Sequence, residues 1–202
     1  MPLQEPLRES ASQTAGPYVH IGCVPTFAGL EGMYPDLGKT MVGEGAKGER
    51  ITVEGHVYDG TGTALKDAML EIWQADAAGL YNSPSETRGA ADTAFAGWGR
   101  QPTDGDTGLY RFETIKPGRV PWPDGRLQAP HITVWLVARG INLGLTTRIY
   151  FADEEPANAE DPVLARIEQR NRVGTLIAAR DGTTYRFDIH LQGPQETVFF
   201  DI

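Results

Sequence analysis

The chain has 202 residues, a formal net charge of −9 and one cysteine, Cys23. This acidic balance argues against nucleic acid or an anionic membrane as a partner. A single cysteine excludes an internal disulfide and favours a reducing, cytoplasmic location. Residues 2–13 are too polar for a signal peptide, and no apolar run is long enough to span a bilayer. We therefore expect a cytoplasmic globular protein with one sizeable core.

The beginning of the chain differs in character from the rest. Residues 12–18 combine turn formers with little apolar periodicity. Composition by itself fits a disordered terminus as well as an ordered arm. We predict an N-terminal arm over residues 1–22, followed by one domain over residues 23–202 that opens with a glycine-rich loop.

From Ile51 onwards, apolar and polar residues alternate in one short segment after another, which is the pattern of β-strands with one buried face. Turn residues such as those at 59–62 separate these segments. The predicted strands are 51–57, 68–74, 109–114, 131–140, 146–151 and 184–191.

Two other stretches interrupt the strands. Residues 76–105 form a long, irregular segment, and a loop of that length usually serves a site or an interface. Asp161 followed by Pro162 is typical of a helix start, so we predict one short helix there. With 24 glycines and 14 prolines, the whole pattern predicts an all-β fold, a β-sandwich with long loops and one or two short helices.

Candidate metal ligands are sparse in this sequence. The four histidines, His20, His56, His131 and His190, are not paired at ligand spacing with another histidine, a cysteine or a carboxylate. Each is by itself typical of a structural or surface residue. An H-x-H on a strand would aim two imidazoles at one point, because alternate residues share a face. His131 opens a predicted strand, but Thr133 stands where the second histidine would be.

Two adjoining motifs carry a family resemblance. T-I-K-P-G-R-V-P-W at residues 114–122, followed by P-H-I at 130–132, resembles the ring-cleaving core of intradiol dioxygenases, which split catechols between their two hydroxyls. In the catalytic chains of that family the first motif carries an iron-binding tyrosine and the second reads H-x-H. The corresponding positions here are Val120 and, for the second histidine, Thr133. A further tyrosine ligand, expected in the loop after Tyr81, is also missing.

The resemblance therefore implies a site that has lost its metal ligands. A threonine hydroxyl is a poor replacement for imidazole on a ferric ion, which prefers phenolate, carboxylate or imidazole donors. We interpret Val120, His131 and Thr133 as vestigial ligand positions, with His131 in a structural role, and expect no metal in this chain. The resemblance implies that ferric iron, Fe(III), is bound by a partner beta chain of the same fold.

Motifs outside this core resemble the iron-free alpha chains of the two-chain members of the family. They are S-Q-T-A-G-P-Y-V-H-I-G at 12–22, A-R-G-I-N at 138–142, Y-R-F-D-I at 185–189 and E-T-V-F-F-D at 196–201. In such enzymes several alpha–beta pairs assemble, and each active site lies at the alpha–beta boundary. The resemblance implies a subunit that is inactive alone. Its enzyme would use O2 to open 3,4-dihydroxybenzoate between the hydroxyls, giving 3-carboxy-cis,cis-muconate.

The same resemblance indicates substrate-binding residues. Thr14, Gly16, Pro17 and Tyr18 match positions that border the partner's substrate pocket, where glycine permits a close backbone approach and proline stiffens the segment. Arg139 is the best candidate for contact with the substrate carboxylate, since a guanidinium can hold a carboxylate with two parallel hydrogen bonds. The alternative for Arg139 is a surface ion pair of little consequence. No catalytic residue is expected in this chain itself.

Two other functions stay open on the sequence alone. The chain could be a non-enzymatic β-sandwich binding or assembly module, in which case the agreement of the arm with the core motifs is accidental. It could also be a self-sufficient dioxygenase with unrecognised ligands. Colour separates the last possibility, because tyrosinate-to-iron charge transfer would make such a single chain red.

Overall fold

The computed structural model describes residues 13–32, 34–142 and 144–201. The strands are β1 (Arg50–Tyr58), β2 (Met69–Trp73), β3 (Trp98–Pro102), β4 (Leu109–Ile115), β5 (His131–Val137), β6 (Leu145–Phe151), β7 (Ile177–Asp181), β8 (Thr184–Arg186) and β9 (Ile189–His190). The α-helices are α1 (Pro17–Cys23) and α2 (Glu155–Glu160), and 3-10 turns cover Ala152–Glu154, Leu164–Arg166 and Arg170–Leu176. Of the helices in these ranges, none has the length and apolar character needed to cross a membrane.

The strands join one mixed sheet in the order β3-β2-β5-β6-β7-β8-β1-β4, with β9 beside β1. The junction between β6 and β7 is narrow, since it pairs only Tyr150 with Ile177 and Phe151 with Ala178. Strands β3 and β4, at opposite ends of this order, contact each other. The two halves of the sheet therefore face each other across a shared core, as in a β-sandwich, and the predicted all-β fold class is confirmed.

The main core lies between the two halves and is supplied by alternate residues of each strand. Ile51, Val53 and Val57 of β1 enter it from one half, and Ile132 and Val134 of β5 enter it from the other. Burying a side chain of this size contributes about 1.5–3 kcal/mol. Strands such as β1 and β5, which supply this core, are thus the elements that the sequence pattern predicts most directly.

A second, smaller core lies on the other face of β6. It consists of Ala129, Tyr150, Ala157, Leu164 and Leu176. Because alternate residues of β6 point to opposite faces, one strand serves both cores. The second core holds α2 and the following 3-10 turns against the sheet.

Two strands were not predicted. β3 lies inside the segment 76–105 that was expected to be a loop, and β7 precedes the predicted final strand. β3 reads W-G-R-Q-P and occupies an end of the sheet order, with a single buried residue. It has no β-branched residue, and its alternation is weak because little of it is buried.

The predicted strand 184–191 is divided into β8 and β9. At the break, the side-chain carboxylate of Asp188 accepts the backbone N–H of His56 at 2.8 Å. The Asp188 side chain thus takes the place of a backbone acceptor. Backbone pairing with β1 resumes at the next residue, where Ile189 pairs with Val57.

The predicted helix after Asp161 is wrong as an α-helix, because α2 ends before this residue and a 3-10 turn follows it. Asp161 does act as a cap, since its Oδ1 accepts the N–H groups of Val163 and Leu164 at 2.8 Å each. Its other oxygen accepts the Ala129 N–H at 2.7 Å. Asp161 therefore also contacts the segment just before β5, which is distant in sequence. A tight 3-10 turn follows Asp161 where a longer helix was predicted.

Candidate functional site

Strand β5 carries two of the three positions that we interpret, from the sequence, as vestigial ligand positions. His131 and Thr133 share one face of the strand, while Ile132 points into the main core. The antiparallel neighbour β6 sets Tyr150 opposite His131 and Arg148 opposite Thr133. An arginine is therefore the cross-strand neighbour of a vestigial ligand position.

His131 is a packed, neutral side chain. It is 5 % exposed, and its Nδ1–H donates to the Ala129 carbonyl oxygen at 2.8 Å. Burial, and to a smaller extent the positive charge of Arg148, lower the pKa of His131 to about 4. The ring also packs on Tyr150, with the ring centroids 5.7 Å apart. These contacts describe a structural residue.

Val120 lies near the end of the motif at 114–122 and is 3 % exposed. The glycine two residues earlier lets the backbone approach the preceding loop closely. A Cβ on Gly118 would come within 2.5 Å of the Gly79 nitrogen, so only glycine fits. The Gly118 N–H donates to the Asp76 carbonyl at 2.8 Å. This contact between two backbones holds Val120 at the side of a cleft.

Tyr81, which also borders that cleft, is a packing residue. Its ring stacks on Trp73, with centroids 5.8 Å apart and an interplanar angle of 3°. Burial raises the pKa of Tyr81, so its hydroxyl stays protonated at neutral pH. A protonated phenol is not the phenolate donor that ferric iron prefers.

The residues at the vestigial positions do not fit a ferric ion. Valine offers no donor, threonine offers a neutral hydroxyl, and His131 offers one ring nitrogen. The guanidinium of Arg148 adds a positive charge, which opposes the binding of a cation. Across residues 13–32, 34–142 and 144–201, no group of three His, Cys, Asp or Glu side chains could hold a metal ion.

The arm and Arg139 meet at a different place, around a cavity of about 450 Å³. The residues that define it include Ala15, Gly16, Pro17, His20, Asp67 and Arg139. Three of the five residues predicted to bind substrate, Gly16, Pro17 and Arg139, therefore lie around one cavity. Substrate binding by these residues stays a prediction.

Thr14 anchors the arm beside this cavity. Its hydroxyl donates to the Ala138 carbonyl at 3.2 Å and accepts the Gly140 N–H at 2.9 Å. Thr14 also forms an antiparallel bridge with Asn142. Because the one donor of the hydroxyl is used for the backbone, the geometry describes Thr14 as a residue that positions the arm.

Arg139 lies beyond Val137, the last residue of β5, and not within a strand as predicted. Its Nε forms an ion pair with Oδ2 of Asp67. The Arg139 side chain is 74 % exposed and that of Asp67 is 29 % exposed. Sequence reasoning missed Asp67, because a lone acidic residue just before a predicted strand carries no functional signal.

Two residues of α1 differ sharply in their surroundings. Tyr18 is 86 % exposed and is not part of the cavity wall within this chain. His20 is 7 % exposed, and its Nε2 has no hydrogen-bond partner among the described residues. Burial lowers the pKa of His20, an effect that the charge of Asp67 opposes. Sequence reasoning gave His20 no role, and its place in the motif at 12–22 was the only signal.

Comparison with known proteins agrees with the fold and with the altered ring-cleaving motif at residues 114–122. A family model described as Dioxygenase matches residues 25–193. Catechol 1,2-dioxygenase from Acinetobacter sp. ADP1 shares the fold, with a TM-score of 0.57 and 22 % identity over 79 % of this chain and 61 % of that one. The chain belongs to the intradiol dioxygenase family.

Full-length identity identifies the branch of that family. The chain is 48 % identical to the protocatechuate 3,4-dioxygenase alpha chain of Pseudomonas putida, over 100 % of both chains. It is 38 % identical to the beta chain of Burkholderia cepacia, over 76 % of this chain and 63 % of that one. The chain is thus an alpha-type subunit of a protocatechuate 3,4-dioxygenase, an intradiol ring-cleaving enzyme. This confirms the predicted class of function and excludes an unrelated binding module.

Proposed function

We propose that this chain forms one wall of an active site that it shares with a beta chain, and that the beta chain holds the ferric iron. The main observation that supports this proposal is a difference between two places in the molecule. Val120 and Thr133 supply no donor set for iron, and Arg148, opposite Thr133 in the strand pairing, adds an opposing charge. The arm and Arg139, in contrast, surround a cavity with an accessible cation.

Arg139 is suited to a ligand that carries a carboxylate, as 3,4-dihydroxybenzoate does. A guanidinium has five N–H donors in a planar fork, and the contact with Asp67 through Nε leaves other donors for a second carboxylate. An exposed ion pair contributes about 0–1 kcal/mol. A charge-assisted hydrogen bond shielded from water contributes about 1.5–3 kcal/mol. Cover by a second chain would therefore strengthen the contact between Arg139 and the substrate.

The arm supplies the remainder of this wall. At Gly16, a Cβ would meet nothing within 4 Å, so a ligand can approach the bare backbone there. Pro17 occupies the first turn of α1 and fixes its start. Tyr18 carries its ring outwards, and an exposed tyrosine at the edge of a cavity suits contact with a partner surface.

Ferric iron held by the beta chain would activate a catechol toward O2, so that the ring would open between its hydroxyls to 3-carboxy-cis,cis-muconate. The residues of this chain hold the carboxylate, orient the ring and exclude water from the shared site. Several alpha–beta pairs form the particle, in the cytoplasm. None of these steps requires a catalytic group from this chain.

Separate and joint purification of the two chains tests the proposal. This chain alone should be colourless and free of stoichiometric iron, and it should not cleave 3,4-dihydroxybenzoate. Joint purification should give iron in proportion to the beta chain, a red colour and ring cleavage. The proposal fails if this chain alone binds one ferric ion or cleaves the ring.

A further inference from the structure

A second cavity, of about 340 Å³, lies between β6, the turn after Asp161 and the C-terminal tail. Its walls include Trp122, Arg148, Val163, Ile167, Val198 and Phe200. The tail is fixed in place, since the Phe200 N–H donates to the Thr146 carbonyl at 2.8 Å and the Thr147 hydroxyl donates to the Val198 carbonyl at 2.7 Å. The cavity is therefore a formed feature of the fold with largely apolar walls.

Arg148 brings to this cavity a positive charge that has no carboxylate partner within residues 13–32, 34–142 and 144–201. Its Nη1 donates to Oε1 of Gln128 at 2.8 Å and lies 3.4 Å from the Tyr150 hydroxyl. Both partners are neutral, because an amide carries no charge and burial raises the pKa of Tyr150. Among the described residues, no Asp or Glu oxygen lies within 4 Å of this guanidinium.

Asp161, to which the Tyr150 hydroxyl is linked at 3.3 Å, does not serve as this counterion. Asp161 is fully buried, and its two oxygens accept the backbone N–H groups of Ala129, Val163 and Leu164. Its charge is thus stabilised locally, at the start of the turn. Toward the described residues, Arg148 donates through Nη1, and the other N–H donors of its guanidinium are left for a ligand.

Other partly buried arginines of the chain have carboxylate partners. Arg100 pairs with Glu71 at 2.5 Å, and Arg172 pairs with Glu196 at 2.9 Å. Arg148 is half-buried, and the part of the chain that the structure describes offers it no such partner. Removing a cation from water is unfavourable unless it is paired, so this arrangement favours a bound anion.

A second cation, Arg166, also lines this cavity. The guanidinium of Arg166 stacks over the Trp122 ring, 5.1 Å from its centroid. The cavity thus combines positive charge at two points with an indole and a phenyl ring on its walls. A small organic anion with an apolar body matches both features.

We propose that this cavity binds a monocyclic aromatic carboxylate, with the carboxylate on Arg148 and the ring between Trp122, Ile167 and Phe200. The volume suffices, because an apolar cavity of about 150 Å³ already holds benzene. The site contains no group placed for ring cleavage and acts as a binding site only. It does not depend on the role proposed for Arg139.

The test uses 4-fluorobenzoate and fluorine NMR on the assembled alpha–beta enzyme. Catechol is present in excess and oxygen is excluded, so that the ring-cleavage sites are filled with a neutral ligand and do not turn over. We expect one bound 4-fluorobenzoate per copy of this chain. Arg148→Gln should weaken this binding about ten- to a hundredfold. Arg126→Gln is the matched control and should bind normally, because Arg126 pairs with Asp124 at the surface.

Two further measurements keep the test decisive if Arg148→Gln does not fold. Ile167→Trp keeps the cation but fills the cavity, and it should abolish binding of the probe. Uncharged 4-fluorobenzyl alcohol should bind the wild type at least about tenfold more weakly than 4-fluorobenzoate. Equal binding by the wild type and by Arg148→Gln or Ile167→Trp overturns the proposal. Absence of bound 4-fluorobenzoate in the wild type also overturns the proposal. If sedimentation then shows that Arg148→Gln weakens association of the alpha and beta chains, the cavity is a contact between proteins.

Discussion

The hydroxyl of Thr14 accepts a hydrogen bond from the backbone N–H of Gly140 at 2.9 Å, although 126 positions separate the two residues. The same hydroxyl donates to the carbonyl of Ala138. Thr14 therefore spans the backbone on both sides of Arg139, and one side chain sets the position of the arm relative to the cation of the cavity.

Replacing this hydroxyl should impair catalysis more than folding. Thr14→Val keeps the volume of the side chain and removes two hydrogen bonds, each worth about 0.5–1.5 kcal/mol. In the assembled enzyme we expect kcat/KM for protocatechuate to fall roughly three- to thirtyfold, with little change in Tm because Thr14 is exposed. Thr14→Ser keeps the hydroxyl and should stay near the wild type. Unchanged kinetics in Thr14→Val would show that these bonds do not position the arm.

The proposed role of Arg139 predicts a loss that depends on the substrate carboxylate. Arg139→Ala should lower kcat/KM for protocatechuate about ten- to a hundredfold, because a charge-assisted contact worth about 1.5–3 kcal/mol is lost. Arg139→Lys should recover part of this loss, since lysine keeps the charge without the planar fork. Catechol, which has no carboxylate, should be much less affected. Equal losses on both substrates would instead assign Arg139 to the subunit interface.

Burial of His131 predicts a specific dependence of stability on pH. Its pKa in the folded chain is about 4, below the usual 6.5, so the unfolded chain binds this proton more readily between these values. The contribution to stability is complete above pH 6.5 and falls by up to about 3 kcal/mol as the pH drops through the window. Glutamine cannot be charged, so His131→Gln should lose less stability than the wild type between about pH 7 and about pH 4.5, which is roughly the range in which the histidine titrates.

Urea unfolding of the chain at these two pH values measures the effect. Carboxylates also titrate in acid, so the relevant quantity is the difference between the wild type and His131→Gln, in which their contributions cancel. An identical loss of stability in the two proteins would mean that His131 is charged in the folded chain.

Restoring ligand types at the vestigial positions should not by itself restore a metal site. A double variant, Val120→Tyr with Thr133→His, adds a phenol and an imidazole near His131. The guanidinium of Arg148, opposite position 133 in the strand pairing, still opposes a cation. We expect the double variant to bind ferric iron at least about tenfold more weakly than a triple variant that adds Arg148→Gln. Iron content and visible absorption measure the difference, and equal iron binding would show that Arg148 is not the obstacle.

Several features could be predicted from the sequence because their physical basis is local. The alternation of apolar and polar residues along β1 and β5 indicates their buried faces independently of the rest of the sequence. The loss of metal ligands is also a matter of residue identity, since valine and threonine cannot replace phenolate and imidazole in any fold. Prediction failed at β3 and after Asp161. The edge strand β3 has little burial to impose a pattern, and the Asp161 side chain is shared between its own turn and the distant Ala129.

The sequence by itself thus determined the strand content, the family motifs and the absence of a donor set for iron at Val120 and Thr133. Only the tertiary structure decided that Arg139 pairs with Asp67 and that Arg148 stands opposite Thr133, with no carboxylate partner for Arg148 among the described residues. Both relationships depend on which distant backbone segments lie side by side. That register is set by the packing of the whole core, so no local pattern of residues reveals it.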